Sequence, residues 1–226
     1  MSNNTYNHKP EINKFIASVI ERGISFMGEV IYSYGVVNRN NPRDCIIINN
    51  CSGWFDEDYR VNNRQLTDPV VLKALAGFTD FDWDRNAMLD FFGNTEELFS
   101  DAQAFNITIG HTLSFTDANN NLAMFTLIMS TGTPDEFHKK IADKKQHLKE
   151  LLTEIHVKNM ALRGVTNSVV PPETVERAQI YHDGHTVTVL PLKSDDIVGS
   201  EELFAQLLER AGYHGATDKL NNGKKK

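Results

Sequence analysis

The sequence predicts an α+β fold, an α/β/α sandwich in which an antiparallel sheet of four or five strands lies between helical layers. Three observations predict it: an amphipathic helix comes first, two pairs of β-rich segments are each joined by a polar turn, and a long helix follows the second pair. With 226 residues, 40% of them hydrophobic, the chain carries enough apolar side chains to fill one such core.

The first helix is predicted from Pro10 to about Met27, where apolar residues recur every three or four positions. Two strands follow, VIYSYGVVN (30–38) and CIIINN (45–50), both rich in β-branched and aromatic residues. The segment between them, RNNPRD, has the composition of a turn. These two strands therefore form a predicted antiparallel pair.

The middle of the chain is predicted to be helical and polar from Cys51 to about Gly77. Asp68 and Pro69 mark a helix start, because Asp can cap a helix and Pro fits its first position. A short aromatic and acidic segment, FTDFDWD, covers 78–84. A further helix is predicted from a capped start at Thr95 to Phe105.

The second strand pair is NITIGHTLSFTD (106–117) and NLAMFTLIMS (121–130), which flank a short polar loop and predict a hairpin. One long charged helix, 133–163, follows, with an apolar stripe that could pack on the sheet or on a second subunit. We expect the three histidines of this helix to be solvated on its polar side. They are His138, His147 and His156.

The chain divides into a predicted domain at 1–163, a linker at 164–176 and a C-terminal segment at 177–226. The linker follows from the content of Pro, Ser and Thr. The C-terminal segment predicts a small extension, namely a hairpin around Asp183 and Gly184, a helix from Ser200 and a basic tail.

Composition excludes several classes of protein. No apolar run reaches the roughly 18 residues of a membrane span, and the polar N-terminus lacks a secretion signal, so a cytoplasmic protein is expected. The net charge of −7 argues against indiscriminate binding to nucleic acid. The chain has neither a nucleophile elbow, nor a phosphate-binding loop, nor a zinc motif, so we predict no catalytic residues, metal or cofactor.

Aromatic residues beside a carboxylate form the most unusual cluster. Its members are Trp54, Phe55, Tyr59, Asp68, Pro69, Phe81 and Trp83. Such a set suits a concave site that holds an apolar ligand and fixes its few polar atoms. The alternative interpretation is an aromatic core with a helix-capping Asp.

The run YRVNNRQLTDPVV (59–71), with Trp83, Gly110 and the strand NNLAMFTLIM, resembles the autoinducer-binding domain of LuxR-type quorum-sensing regulators. Tyr59 precedes the Asp-Pro pair by nine residues, and Trp83 follows Asp68 by fifteen. The resemblance covers roughly residues 10–163. It implies a five-stranded antiparallel sheet between helices and an N-acyl-homoserine lactone as ligand, with a 3-oxo-hexanoyl or 3-oxo-octanoyl chain.

The resemblance also implies residue roles. Asp68 would accept the ligand amide N–H, and the Tyr59 hydroxyl would reach the acyl carbonyl. Trp83 would stack beside the lactone, Gly110 would lie near the ring, and Thr126 would bond to ligand carbonyls. The predicted ligand-binding set also includes Val70, Cys51, His111, Trp54 and Phe55.

One departure from the family concerns the lactone. Family members carry a Trp four residues before the tyrosine that Tyr59 matches, and the indole N–H of that Trp binds the lactone carbonyl. Here Phe55 occupies that position, Trp54 is one residue away, and Cys51 stands where another Tyr is usual. Either the loop shifts to bring Trp54 in, or the contact is lost.

A second departure concerns DNA. Residues 164–226 lack the family's helix-turn-helix pattern and carry 7 basic against 9 acidic residues. We therefore expect a homodimer, or a heterodimer with a full-length LuxR-type regulator, or sequestration of the signal. The alternatives are direct DNA binding through the divergent C-terminal segment, an interaction domain without ligand, and a lactone or amide hydrolase that uses Asp68 and His111.

Overall fold

A computed structural model describes residues 9–92, 96–165, 178–182 and 187–191. For 89–92 and the last two ranges it describes the backbone alone.

The five-stranded antiparallel sheet is confirmed. Its strands are β1 (Val30–Asn38), β2 (Cys45–Asn49), β3 (Asp80–Asp84), β4 (Ile109–Thr116) and β5 (Asn121–Met129). They lie in the order β2-β1-β5-β4-β3, and every neighbouring pair is antiparallel. The acidic and aromatic segment near residue 80 supplies the edge strand β3, so the two predicted pairs and this strand make one sheet.

Seven helices accompany the sheet in the described ranges. They are α1 (Pro10–Gly23), α2 (Ser52–Trp54), α3 (Pro69–Leu75), α4 (Arg85–Phe92), α5 (Glu96–Gln103), α6 (Pro134–Asp143) and α7 (Lys145–Leu162). Side chains of α1, α6 and α7 pack on one face of the sheet, and those of α2 to α5 pack on the other. Short turns of other helix types cover Ser25–Met27, Phe55–Tyr59 and Arg64–Leu66.

Alternation along the strands divides the core into two clusters. In β5, Phe125 and Leu127 face α1 and α7, whereas Met124 and Ile128 face the opposite layer. Side chains of a strand point alternately to its two faces, and both faces of this central strand are covered. The sheet therefore separates a tightly filled layer from the layer that holds the candidate site.

The prediction of a single helix over 133–163 is wrong, because the helix ends and restarts at Lys144, whose backbone leaves helical geometry with φ −121° and ψ 15°. The expectation that His156 is solvated is also wrong, since its side chain is fully buried. The apolar stripe packs on the sheet through Phe137 to Ile155, and Leu162 is half-exposed.

The C-terminal strand pair has its predicted antiparallel pairing, between β6 (Ala178–His182) and β7 (Val187–Pro191). The predicted turn at 183–184, the helix from Ser200, the basic tail and most of the linker lie outside the described residues. Thr95, the predicted start of α5, lies outside them too. Within the described ranges no helix combines the length and hydropathy needed to cross a bilayer.

Candidate ligand-binding site

A cavity lies between the sheet and the helices α3 and α5. Its volume is about 80 Å³. Apolar side chains from β1, β2, β5, α3 and α5 form most of its wall. Polar groups enter at a few places: Ser33, Trp54, Tyr59, Gln65, Asp68 and Thr126. An apolar enclosure with few polar groups suits a small ligand with an apolar tail and a polar head.

Seven of the ten residues predicted to bind ligand line this cavity. They are Trp54, Phe55, Tyr59, Asp68, Val70, Trp83 and Thr126. The other three do not line it: Gly110, Cys51 and His111. The structure thus brings together residues that lie as far apart in the sequence as 54 and 126. Gly110, Cys51 and His111 lie away from the cavity surface.

Gly110 acts on the cavity through Trp83. The two residues are paired across β4 and β3, and a Cβ atom at residue 110 would lie 2.3 Å from Trp83 Cζ2. The same atom would lie 2.8 Å from the backbone oxygen of Leu127. Only glycine leaves room for the indole to lie against the strand.

His111 lies on the opposite face of the sheet, because it directly follows Gly110 in the strand. Its Nδ1 is 2.7 Å from Asp82 Oδ1, and its Nε2 is 3.4 Å from Asp80 Oδ1. Burial lowers the pKa of His111, although both aspartates raise it. Cys51 precedes α2, and its backbone N–H donates to Asn49 Oδ1 at 2.9 Å.

Asp68 caps α3 as predicted. Its Oδ1 accepts the backbone N–H of Val70 at 2.8 Å, and its Oδ2 accepts the Tyr59 hydroxyl at 2.6 Å. Burial raises the pKa of the Asp68 carboxyl above its ordinary value, despite the hydrogen bonds that favour its ionised form. Burial and the charge of Asp68 raise the pKa of Tyr59 as well, so its hydroxyl is neutral and can donate.

A chain of three polar groups crosses the floor of the cavity. The Trp83 indole N–H donates to Thr112 Oγ1 at 3.0 Å, and Thr112 Oγ1 lies 3.0 Å from Thr126 Oγ1. Thr112 is fully buried, so its own hydroxyl hydrogen needs an acceptor, and Thr126 is the acceptor at hand. Thr126 then keeps its hydrogen available to donate into the cavity.

Trp54 and Phe55 are both buried and both line the cavity. The Trp54 ring packs against Tyr59, with ring centres 5.9 Å apart, and the Arg64 guanidinium lies 5.4 Å from its ring centre. Arg64 also pairs with Asp58 and Asp101. Within the described ranges no acceptor takes the Trp54 indole N–H.

Sequence reasoning missed fourteen lining residues; eleven of them are glycine or apolar, and the other three are Ser33, Cys45 and Gln65. Ser33 could have been found from strand pairing, because it lies opposite Thr126. Gln65 lies in a short turn without periodicity, and nothing in the sequence marks it. Among the described residues no group of three His, Cys, Asp or Glu side chains is arranged to hold a metal ion.

Comparison with known families gives one matching model. Residues 14–158 match the family described as "Autoinducer binding domain". The transcriptional activator protein ExpR of Pectobacterium parmentieri is 31% identical over 162 residues, which are 72% of this chain and 66% of ExpR. EsaR of Pantoea stewartii subsp. stewartii, also named a transcriptional activator protein, is 30% identical over 71% of this chain and 64% of its own length. The chain therefore spans somewhat less than two thirds of these relatives.

Solved structures agree on the fold. Escherichia coli SdiA superposes with a TM-score of 0.52 at 14% identity, covering 95% of this chain and 93% of SdiA. A structure of SdiA in complex with octanoyl-rac-glycerol also gives 0.52, at 16% identity, covering 74% of this chain and 66% of that one. At such low identities the likeness concerns the architecture alone.

Proposed function

This chain belongs to the autoinducer-binding domain family of LuxR-type regulators, and from that premise we propose that its cavity binds an N-acyl-homoserine lactone. The family is one of transcriptional activators rather than of enzymes. The observation that carries the proposal is the partly buried carboxylate of Asp68, which faces a mostly apolar cavity beside a neutral Tyr59 hydroxyl.

Ligand binding exchanges partners at Asp68. The ligand amide N–H takes the place of the Tyr59 hydroxyl at Asp68, and the freed hydroxyl donates to the acyl carbonyl. A hydrogen bond to a charged group contributes about 1.5–3 kcal/mol. The Asp68 carboxylate keeps a donor throughout, and the ligand N–H and carbonyl exchange water for Asp68 and Tyr59, so the bonds chiefly fix the orientation of the ligand.

Other donors in the wall suit the remaining ligand carbonyl. Trp54 has an indole N–H without a described acceptor, and Thr126 retains a hydroxyl hydrogen. The resemblance assigns the lactone carbonyl to a tryptophan near this position, so we assign it to Trp54. Phe55, which has no donor, contributes apolar wall.

The acyl chain lies against apolar side chains of the sheet and of α5. Burial of each methylene contributes about 0.8 kcal/mol, so a six- or eight-carbon chain adds several kcal/mol. We propose a 3-oxo-hexanoyl or 3-oxo-octanoyl chain, as the resemblance implies.

The output of ligand binding is proposed to run through protein contacts in the cytoplasm. Residues 1–163 form the ligand-binding domain, and 177–226 follow the linker as a divergent segment; linker and segment together, residues 164–226, carry 7 basic against 9 acidic residues. Since Leu162 at the end of α7 is half-exposed, this end of the helix offers apolar surface to a second chain. The second chain is another copy of this chain or a full-length LuxR-type regulator. In the heterodimer, the full-length regulator could not bind both half-sites of its operator. The other proposed route is sequestration of the signal.

Thermal unfolding tests the proposal. A lactone at about 100 times its dissociation constant should stabilise the protein by about 2.7 kcal/mol. The panel contains 3-oxo-hexanoyl- and 3-oxo-octanoyl-homoserine lactone, with octanoyl-rac-glycerol as the comparison compound. Stabilisation by a lactone that Asp68→Asn reduces by about half or more supports the proposal. No stabilisation by any lactone contradicts it, and turnover of the lactone would favour a hydrolase.

A gel-shift assay with palindromic operator DNA tests the output. We expect no specific retardation at physiological salt. Specific, ligand-dependent retardation would contradict the proposed route and assign DNA binding to the C-terminal segment.

A further inference from the structure

Gln65 places an amide without a protein partner in the cavity wall. Its side chain is 3% exposed, and its Oε1 is buried without a hydrogen bond. The amide nitrogen has no acceptor among the described residues either. Most buried polar side chains have a partner, and an unpaired one destabilises the folded state. An amide left unpaired next to a cavity is explained most simply if a ligand pairs with it.

The turn that carries Gln65 is held in place from both sides. Gln65 lies between Arg64, which pairs with Asp58 and Asp101, and Leu66, whose backbone N–H donates to Asn63 at 3.1 Å. Asp68 follows three residues later. The amide is therefore presented by the same segment as the carboxylate that is proposed to bind the ligand.

We propose that Gln65 is a specificity-determining residue that selects acyl chains bearing an oxygen substituent. This inference rests on the proposed lactone binding and extends it. The polar groups of an unsubstituted acyl-homoserine lactone already have partners in Asp68, Tyr59 and Trp54. A plain chain thus leaves the Gln65 amide unpaired, whereas a chain with an oxygen can pair with it.

The amide can serve either oxidation state of that oxygen. A keto oxygen accepts from the amide nitrogen, and a hydroxyl can in addition donate to Oε1. Since an unpaired buried group weakens binding, the plain chain should bind roughly tenfold more weakly than an oxygenated one.

The test compares octanoyl-, 3-oxo-octanoyl- and 3-hydroxy-octanoyl-homoserine lactone by calorimetry on the full chain. The variants are Gln65→Met, which removes the amide at similar size, and Gln146→Met, the same change at an exposed position of α7 outside the cavity wall. We expect roughly tenfold discrimination against the plain chain in the wild type and in Gln146→Met. Gln65→Met should reduce it to about twofold or less. Tighter binding of only one of the two oxygenated chains also supports the proposal. It shows whether the amide nitrogen donates to a keto oxygen or Oε1 accepts from a hydroxyl.

Three results overturn the inference, and they are distinguishable. Equal affinity of the wild type for all three lactones refutes the role of Gln65 but leaves lactone binding intact. Discrimination between the chains that survives in Gln65→Met, or disappears in Gln146→Met, shows that the Gln65 amide is not its source. No binding of any lactone removes the proposed function and this inference together.

A second variant covers the case in which Gln65→Met does not fold. In Gln65→Glu an ionised carboxylate can only accept hydrogen bonds, so it should favour the 3-hydroxy chain over the 3-oxo chain by about tenfold or more. Equal affinity of Gln65→Glu for these two chains would contradict contact between residue 65 and the oxygen.

Discussion

The hydroxyl of Tyr59 donates to Asp68 Oδ2 at 2.6 Å, so these two residues satisfy each other when the cavity holds no ligand. A tyrosine hydroxyl has one hydrogen and cannot donate to Asp68 and to a ligand carbonyl at once. Binding at both residues therefore requires that this bond break. The Tyr59 hydroxyl thus limits the free-energy cost of a partly buried carboxylate that has no ligand bound to it.

Tyr59→Phe should weaken binding of 3-oxo-octanoyl-homoserine lactone by about two- to tenfold, since one neutral hydrogen bond to the ligand is lost. Asp68→Asn should weaken it more, by about tenfold or greater, because the charge-assisted bond is lost. Calorimetric titration of both variants gives the comparison. A larger loss in Tyr59→Phe than in Asp68→Asn would show that the carboxylate does not hold the ligand amide.

Affinity for the lactone should fall as the pH is lowered. The ligand N–H pairs with the ionised carboxylate, so protonation of Asp68 competes with binding. Because burial raises the pKa of Asp68, the fall begins at a higher pH than an ordinary aspartate would give. Dissociation constants measured from pH 7 downwards, within the range where the protein stays folded, check this profile.

Two variants separate Asp68 from other titrating groups. The Tyr59 hydroxyl lowers the pKa of Asp68, so in Tyr59→Phe the fall in affinity should move to higher pH. In Asp68→Asn the residual affinity should not change with pH over the same range. A profile in Asp68→Asn that matches the wild type would assign the dependence to another group.

Gly110→Ala should displace Trp83 and destabilise the protein by about 1–3 kcal/mol, as overpacking does elsewhere. The added Cβ meets the indole at 2.3 Å and a backbone oxygen at 2.8 Å, and the backbone cannot yield as a side-chain tip can. Lactone affinity should fall as well. Urea unfolding and calorimetry measure the two effects.

Gly35→Ala is the matched control. Gly35 also lines the cavity from a strand, but a Cβ there has its nearest neighbour, Ile46 O, at an ordinary 3.8 Å. We expect a change in stability below about 0.5 kcal/mol. If both variants lose the same stability, the close packing of Trp83 on Gly110 is not what requires glycine.

Sequence alone could predict the strands and the cap because both depend on local chemistry. Alternation and turn residues located β1, β2, β4 and β5, and the Asp-Pro pair located the start of α3. Alternation along β4 implies that Gly110 and His111 face opposite sides of the sheet, but which of them faces the cavity depends on the register with β3. Gln65 escaped for a related reason, because only the folded turn shows that its amide is buried and unpaired.

His156 shows the same limit on the other side of the sheet. Helical periodicity placed it among charged neighbours, yet it is fully buried between two partners. Its Nδ1 is 2.9 Å from the Tyr34 hydroxyl, and its Nε2 is 3.0 Å from Asp117 Oδ2. A polar side chain within an amphipathic pattern can thus be part of the core when another element supplies its hydrogen bonds.

Asp117→Asn should destabilise the protein by about 1–3 kcal/mol at pH 7, because it removes the acceptor that faces buried His156. Burial alone would raise the pKa of Asp117. The hydrogen bond and charge of His156 and the hydrogen bonds from Asn121 have the larger combined effect, so the pKa lies below its ordinary value. A lowered carboxyl pKa stabilises the folded state above the unfolded value, near 3.9, and this contribution is lost as the pH falls through the folded value. Urea unfolding of the wild type and Asp117→Asn should therefore differ most near neutral pH and converge in acid. Asp143→Asn, at an exposed position, should match the wild type throughout, and a pH-independent gap for Asp117→Asn would exclude ionisation as the cause.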